Sequence, residues 1–374
     1  MIKSQDPQLD FNINALDFPV GGAVVAIKDN KVVYSKGFGK ARLGADEKPF
    51  TPDTIVSIMS ISKSFTAASL LKLVDEGLLE LDMPIVHYLP YFQTTDEEVS
   101  KRITVRHLLS HTAGFAGDLG IGDLVSPIAF NLRDFEKMKE QCGVTDTIIE
   151  GIRTREDITR YLRSVALSDT PGSNWSYCTD AYIIAADLFE RVSGSSWDEF
   201  MESTWFRGLG LNRTTLYAHK VQQAEDHAAY YTSNDNVFRD VTRPDSSMMA
   251  YEIPFLVNQL GAPMGFIYST AHDLGSYLSS YMNEHPYLSS YALHEMFETV
   301  WDFEEEGEGY ALGWGTNRKE NLLILEHGGG YTGVSAYVCM VPSHGTAVIV
   351  VSNHDETPSQ KIAYEMLDLL LQAR

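Results

Sequence analysis

The chain has 374 residues, 44% hydrophobic and 21% charged, with a net charge of −22. That length allows a large core divided between two lobes, and the negative charge argues against nucleic acid and anionic membrane surfaces as partners. No apolar run reaches the length of a membrane span.

The opening, Met1–Pro19, is polar and mixed, without a basic, apolar, small-residue leader, so a cytoplasmic location is expected. Valine-rich runs at Gly21–Ile27 and Lys31–Phe38 flank Asp29-Asn30 and predict a β-hairpin. After Thr51-Pro52-Asp53, a helix is expected from about Ser60 to Glu76, closed by Gly77. It is apolar almost all round, so it should run through a core. From Leu81 to Met249 the pattern is mostly helical, with helical spacing at Val105–Leu109, Arg155–Ala166, Ala181–Val192 and Trp197–Trp205. A glycine- and charge-interrupted insertion, Gly114–Gly151, lies among them and is expected to border a cleft. Strands return at Asn321–Leu325, Val334–Val341 and Thr346–Ser352, and a last helix is expected near Gln360–Gln372. The acidic run Glu304–Glu308 reads as a solvated loop. Strands at both ends with helices between them predict an α+β fold. Residues 1–58 and 262–374 would form an α/β lobe, and 59–261 a mainly helical lobe beginning with the Ser60 helix.

Ser60-Ile61-Ser62-Lys63 puts a hydroxyl and an amine three residues apart, on one face of that helix. A serine alcohol needs an adjacent base to become a nucleophile. A lysine serves only when unprotonated, which burial and nearby positive potential favour. The helix N-terminus adds such potential, and its free N–H groups can face a developing oxyanion. The pattern recurs at Ser69-Leu70-Leu71-Lys72, but there mid-helix, where backbone N–H groups are already used. A helix-cap serine is the plainer reading of Ser60.

Tyr177-Cys178-Thr179 follows the turn Pro171-Gly172-Ser173. A phenol there could move a proton between nucleophile and leaving group, or be a core tyrosine with Thr179 or Asp180 capping the next helix. Cys178 reads as a small buried hydrophobe. With Cys142 and Cys339 it makes too few and too scattered cysteines for a disulfide framework. His327-Gly328-Gly329-Gly330 is placed at the end of a strand, where glycines let a substrate approach the strand edge, or else form a bulge or turn. His107 and His111 have the i, i+4 spacing of zinc ligands, but no glutamate follows His107 and no third ligand is evident. Gly333-Val334-Ser335-Ala336-Tyr337 lacks the last glycine of a nucleophile elbow, and no phosphate loop or dinucleotide fingerprint occurs.

Ser-x-x-Lys, Tyr-x-polar and His-x-Gly in this order resemble the serine β-lactamase and penicillin-binding protein superfamily. The match is closest to its class C-like branch, with peptidase family S12 and related esterases. The resemblance extends through Leu78–Asp82, Ile103–Gly114, Ser269–Leu274 and Leu312-Gly313-Trp314, over nearly the whole chain. It implies a β-lactamase/transpeptidase-like fold, an antiparallel sheet flanked by helices with a helical lobe inserted, and no cofactor or metal. It also implies that Ser60 forms an acyl-enzyme, with Lys63 and Tyr177 sharing general-base and general-acid work. The N–H groups of Ser60 and Gly330 would form the oxyanion hole, with Gly329 and Thr179 against the substrate and His327 orienting the tyrosine or substrate. Thr179 stands where relatives usually carry Asn, and His327 where many carry Lys. Both changes favour an ester or an unusual amide, such as a D-amino-acid peptide, over a β-lactam. An acyltransferase or peptide cyclase, or a non-catalytic binding relative, is the alternative on the same scaffold. The expected partner is a small molecule or short peptide.

Overall fold

The computed structural model describes residues 19–304, 307–319 and 321–372. The expectation for the opening segment lies outside these residues, as does the middle of the acidic run.

A nine-stranded antiparallel sheet organises the molecule. Its strands are β1 (Gly21–Lys28), β2 (Lys31–Arg42), β3 (Lys48–Pro49), β4 (Trp301–Asp302), β5 (Glu308–Tyr310), β6 (Gly315–Lys319), β7 (Leu322–Tyr331), β8 (Val334–Val341) and β9 (Thr346–Ser352). They run in the order β3-β2-β1-β9-β8-β7-β6-β5-β4, so the first hairpin docks on the last strand, with Gly22 opposite Ser352. The Asp29-Asn30 turn has both residues at positive φ, 50° and 58°, as a tight hairpin turn requires.

Strand alternation then assigns the faces. Val24, Ala26, Val348 and Val350 pack against Ile362, Met366 and Leu367 of the last long helix, α4 (Ser359–Gln372). Val25 and Ile27 point the other way, towards α3 (Ala271–Met282). On that side lie α1 (Ser62–Asp75) and α2 (Ala181–Ser193). The expected all-round burial of α1 is found: only Lys72, Val74 and Asp75 are not buried. Phe65 stacks on Tyr277 of α3, with centroids 3.7 Å apart. The helix ends as expected, Gly77 at φ +71° accepting the turn and Leu78 N–H closing on Leu73 O.

Four local expectations are corrected. The Ser60 segment is not the first α-turn but a 3-10 turn, Met59–Ile61, that leads into α1. The helix expected over Arg155–Ala166 ends at Tyr161 and tightens to 3-10 over Leu162–Ser164, and the Trp197–Trp205 helix widens to a π-turn over Met201–Phe206. The strand expected over Asn321–Leu325 is longer, with His327–Gly330 forming its C-terminal part. β7 continues through the glycines to Tyr331, because each of them still pairs with β8, Gly328 with Tyr337 and Gly330 with Ser335.

Among the described residues no helix is long and apolar enough to cross a membrane.

Candidate active site

Ser60 sits on the 3-10 turn directly after Met59, whose φ of 46° is left-handed, a backbone state uncommon for a side chain of that size. One helical step on, Lys63 is wholly buried. Its ammonium donates to Ser60 Oγ at 3.0 Å and to the Met264 carbonyl at 2.7 Å. The second serine–lysine pattern is taken apart by its surroundings. Ser69 Oγ donates to Thr66 O and accepts from Trp197 Nε1 at 3.1 Å, while Lys72 turns outward to Glu76 at 3.1 Å.

Tyr177 comes from the segment before α2. Its ring lies under the Lys63 ammonium, 4.9 Å from Nζ to centroid, and its hydroxyl has no hydrogen-bond partner among the described residues. The segment is held from behind by His111. The His111 carbonyl accepts Ser176 N–H at 2.9 Å, its Nδ1 accepts Cys178 N–H at 3.1 Å, and its ring rests on the Tyr177 ring at 4.1 Å. Because Nδ1 accepts, the neutral ring carries its proton on Nε2. Burial, then the Lys63 charge, drives the His111 pKa well below its ordinary value. Thr179 N–H donates to the Asp118 carboxylate from the Gly114–Gly151 insertion. The next residue, Asp180, does not cap its helix with its side chain. It accepts instead from the N–H groups of Leu119, Gly120 and Gly122, which ties the insertion to the tyrosine segment.

β7 supplies the opposite wall. β6 pairs with it only as far as Gly315 opposite Glu326, so among the described residues no strand pairs with His327–Tyr331 on that side. A Cβ on Gly329 would lie 2.2 Å from the Ile58 carbonyl oxygen, so only glycine lets the strand approach the Ser60 turn this closely. A Cβ on Gly330 would meet nothing within 4 Å, so the space above it is open. A cavity of about 300 Å³ joins Ser60, Tyr177 and His327 and is walled by Trp175, Phe303 and Tyr310.

His327 is placed in this cavity but bonded away from Tyr177. Its Nδ1–H donates to the Gly328 carbonyl at 2.7 Å, and its Nε2 accepts the Tyr310 hydroxyl at 3.0 Å. Burial, then the Lys63 charge, pushes its pKa down to about 3. Unfolded histidine takes up its proton near pH 6.5, while folded His327 resists until about pH 3. The unfolded chain therefore binds more protons in that window, and stability present above pH 6.5 is lost as pH falls through it. We predict that the melting temperature declines from pH 6.5 towards 3 and that His327→Gln flattens part of that decline, as followed by circular dichroism. An unchanged pH slope in the variant would refute this.

Of the residues singled out in the sequence, Ser60, Tyr177 and His327 line one cavity, Lys63 is bonded to Ser60 behind it, and Gly329 and Gly330 continue the strand past His327 along a neighbouring pocket. Thr179 stands beside the cavity, its hydroxyl without a hydrogen-bond partner among the described residues. The sequence missed the Met264 carbonyl, the Trp175, Phe303 and Tyr310 walls and the clamp by His111. The i, i+4 spacing of His107 and His111 carries no sign of that clamp. The two are apart in role, His107 Nδ1 accepting Thr104 N–H at 3.2 Å as a cap.

A serine, a buried lysine and a tyrosine on one cavity beside a glycine-rich strand edge define an active-serine hydrolase of the β-lactamase type. The chain belongs to the Beta-lactamase family, whose model matches residues 15–372. Penicillin-binding protein 4* of Bacillus subtilis is 25% identical over 337 residues, covering 90% of this chain and 68% of the relative. Protein flp of Staphylococcus aureus is 22% identical over 89% of this chain, which spans 59% of that relative's length. Among solved structures, the octameric penicillin-binding protein homologue from Pyrococcus abyssi has a TM-score of 0.78 at 26% identity, over 97% of this chain and 76% of that one. A D-stereospecific amidohydrolase from Streptomyces shares the fold, with a TM-score of 0.72 at 21% identity over 95% of each chain. So does a class C β-lactamase, at 0.69 and 18% identity over 96% of this chain and 93% of that one.

Proposed function

We propose that the protein hydrolyses an ester or an unusual amide, a D-aminoacyl amide among them, through an acyl-enzyme at Ser60. The observation that carries this reading is the Lys63 amine, fully buried and 3.0 Å from Ser60 Oγ. Ser60 Oγ adds to the substrate carbonyl while its proton passes to the amine of Lys63 in its unprotonated form. Tyr177, whose hydroxyl has no hydrogen-bond partner among the described residues, gives a proton to the departing alkoxide or amine and takes one back from the Lys63 ammonium, which leaves both neutral. Water then attacks the ester carbon, giving one proton to the neutral Lys63 amine, which passes it to Ser60 Oγ as the acyl C–O bond breaks and the carboxylic acid leaves. The N–H groups of Ser60 and Gly330 would face the oxyanion, with the substrate backbone laid along the His327–Tyr331 edge of β7.

The cleft favours substrates other than a carboxylate-bearing lactam. Position 327 holds a neutral imidazole whose two nitrogens are occupied by Gly328 and Tyr310, so no permanent cation stands there. Thr179 offers a hydroxyl where an amide would be needed to bind a peptide group from both sides. The fold shared with a D-stereospecific amidohydrolase supports the amide branch of this reading.

Intact-protein mass spectrometry tests it after incubation with p-nitrophenyl esters, D-aminoacyl amides and a penicillin. The expected result is an acyl adduct on Ser60 with an ester or D-aminoacyl amide, absent in Ser60→Ala. Turnover of penicillin alone would overturn the substrate assignment. No adduct at Ser60 with any of them would overturn the mechanism.

A further inference from the structure

Four strands along the sheet from β7, the hairpin strand β2 carries a serine that the Ser60 chemistry does not use. At about 4.8 Å per strand, β2 and β7 lie roughly 19 Å apart. Ser35 pairs with Val25 across the ladder, and Val25 faces α3. The first turn of α3 brings His272 over this position, with His272 Nε2 2.7 Å from Ser35 Oγ. On its other side, His272 Nδ1 is 2.7 Å from Asp53 Oδ1.

The backbones of the imidazole and the carboxylate are pinned. His272 N–H donates to the Pro52 carbonyl at 3.2 Å, Arg213 Nε donates to the Asp53 carbonyl at 3.0 Å, and Thr51 N–H closes the turn on Thr54 Oγ1 at 2.9 Å. The carboxylate can only accept, so it fixes the proton on Nδ1. That leaves the Nε2 lone pair facing the Ser35 hydroxyl. Nucleophile, base and orienting carboxylate thus stand in hydrogen-bonded order. The chain borders a groove of about 620 Å³ whose other walls include Val32, Val33, Lys36 and Pro52. The side chains of His272 and Asp53 are 39% and 54% exposed, so a dissolved reagent reaches them.

We propose that Ser35, His272 and Asp53 form a second activated-serine site, taking small acyl esters and organophosphonates with an apolar group. Ser35 Oγ adds to the carbonyl or phosphorus, its proton moving to His272 Nε2. The ester C–O or P–F bond then breaks, an alkoxide leaving with the proton from His272, or fluoride leaving as the imidazolium releases its proton to solvent. Water hydrolyses an acyl-Ser35 to the carboxylic acid, whereas a phosphonyl adduct persists.

The test uses the 374-residue chain carrying Ser60→Ala, an alkyl fluorophosphonate, and peptide mapping by mass spectrometry. One phosphonyl group on the Ser35 peptide is expected, absent from Ser60→Ala/Ser35→Ala. Its rate of formation should fall about a hundredfold when His272→Gln is added. If that protein does not fold, as judged by circular dichroism, the exposed Asp53→Asn decides, with a fall of about tenfold or more expected. No adduct on Ser35, or one that forms as fast without the imidazole or the carboxylate, would overturn the proposal. Mapping to Ser35 or Ser60 keeps this result separate from the fate of the Ser60 mechanism.

Discussion

Ser60→Ala is expected to lower kcat/KM on the best ester or D-aminoacyl amide by about 10⁴-fold or more, with the melting temperature essentially unchanged. The stability half of this expectation rests on the small change at a position that is only partly buried. The activity half rests on Ser60 being the hydroxyl that the buried Lys63 amine touches within the cavity. Lys63→Met, which keeps the volume of the stem but removes the amine, should cost nearly as much. The two should also be non-additive, because a base without its nucleophile and a nucleophile without its base are both idle. Steady-state kinetics on both single variants and the double variant checks this. If Ser60→Ala/Lys63→Met were worse than either single variant by the product of their separate losses, serine and lysine would be acting independently and the acyl-enzyme mechanism would fail.

Gly329→Ala carries the second large effect, this time through packing. The new methyl would lie 2.2 Å from the Ile58 carbonyl oxygen and 3.4 Å from the Ala336 Cβ. Both the carbonyl and the strand are backbone, so neither can swing aside as a side chain could. Separating them costs about 1–3 kcal/mol of overpacking strain and moves β7 away from the turn that holds Ser60. A lowered denaturation midpoint together with a lowered kcat is expected. Gly330→Ala, one residue on, meets no atom within 4 Å and should change stability by no more than about 0.5 kcal/mol. Equal midpoints for the two variants in urea titrations would refute the packing argument.

Much of this arrangement was legible in residue order because local chemistry set it. The hairpin turn, the glycine that stops α1 and the serine–lysine spacing all act within a few residues, where periodicity and turn preference decide. What stayed hidden depends on contacts between distant segments. Tyr310 reaches His327 from another strand, Met264 offers its carbonyl to a lysine two hundred residues earlier, and His111 steadies a tyrosine far along the chain. No local pattern encodes those meetings. β7 runs on past the expected Leu325 for a related reason: three glycines leave strand end, bulge and turn all open until a paired neighbour, β8, holds them extended.

The pairing of β1 with β9 has a consequence for the order of events during synthesis. Val24 finds its partner Val350 only after more than three hundred further residues have been made, and contacts of such sequence separation form late. Until then the hairpin has an unpaired inner edge, and Ser60 lacks the wall that β7 provides. A ribosome-bound chain that has already produced Ser60, Lys63 and Tyr177 therefore holds these three groups but not the wall of their cleft. Assembly of the Ser60 cleft is thus coupled to completion of the sheet, and the chemistry proposed for Ser60 has to wait for the last strands.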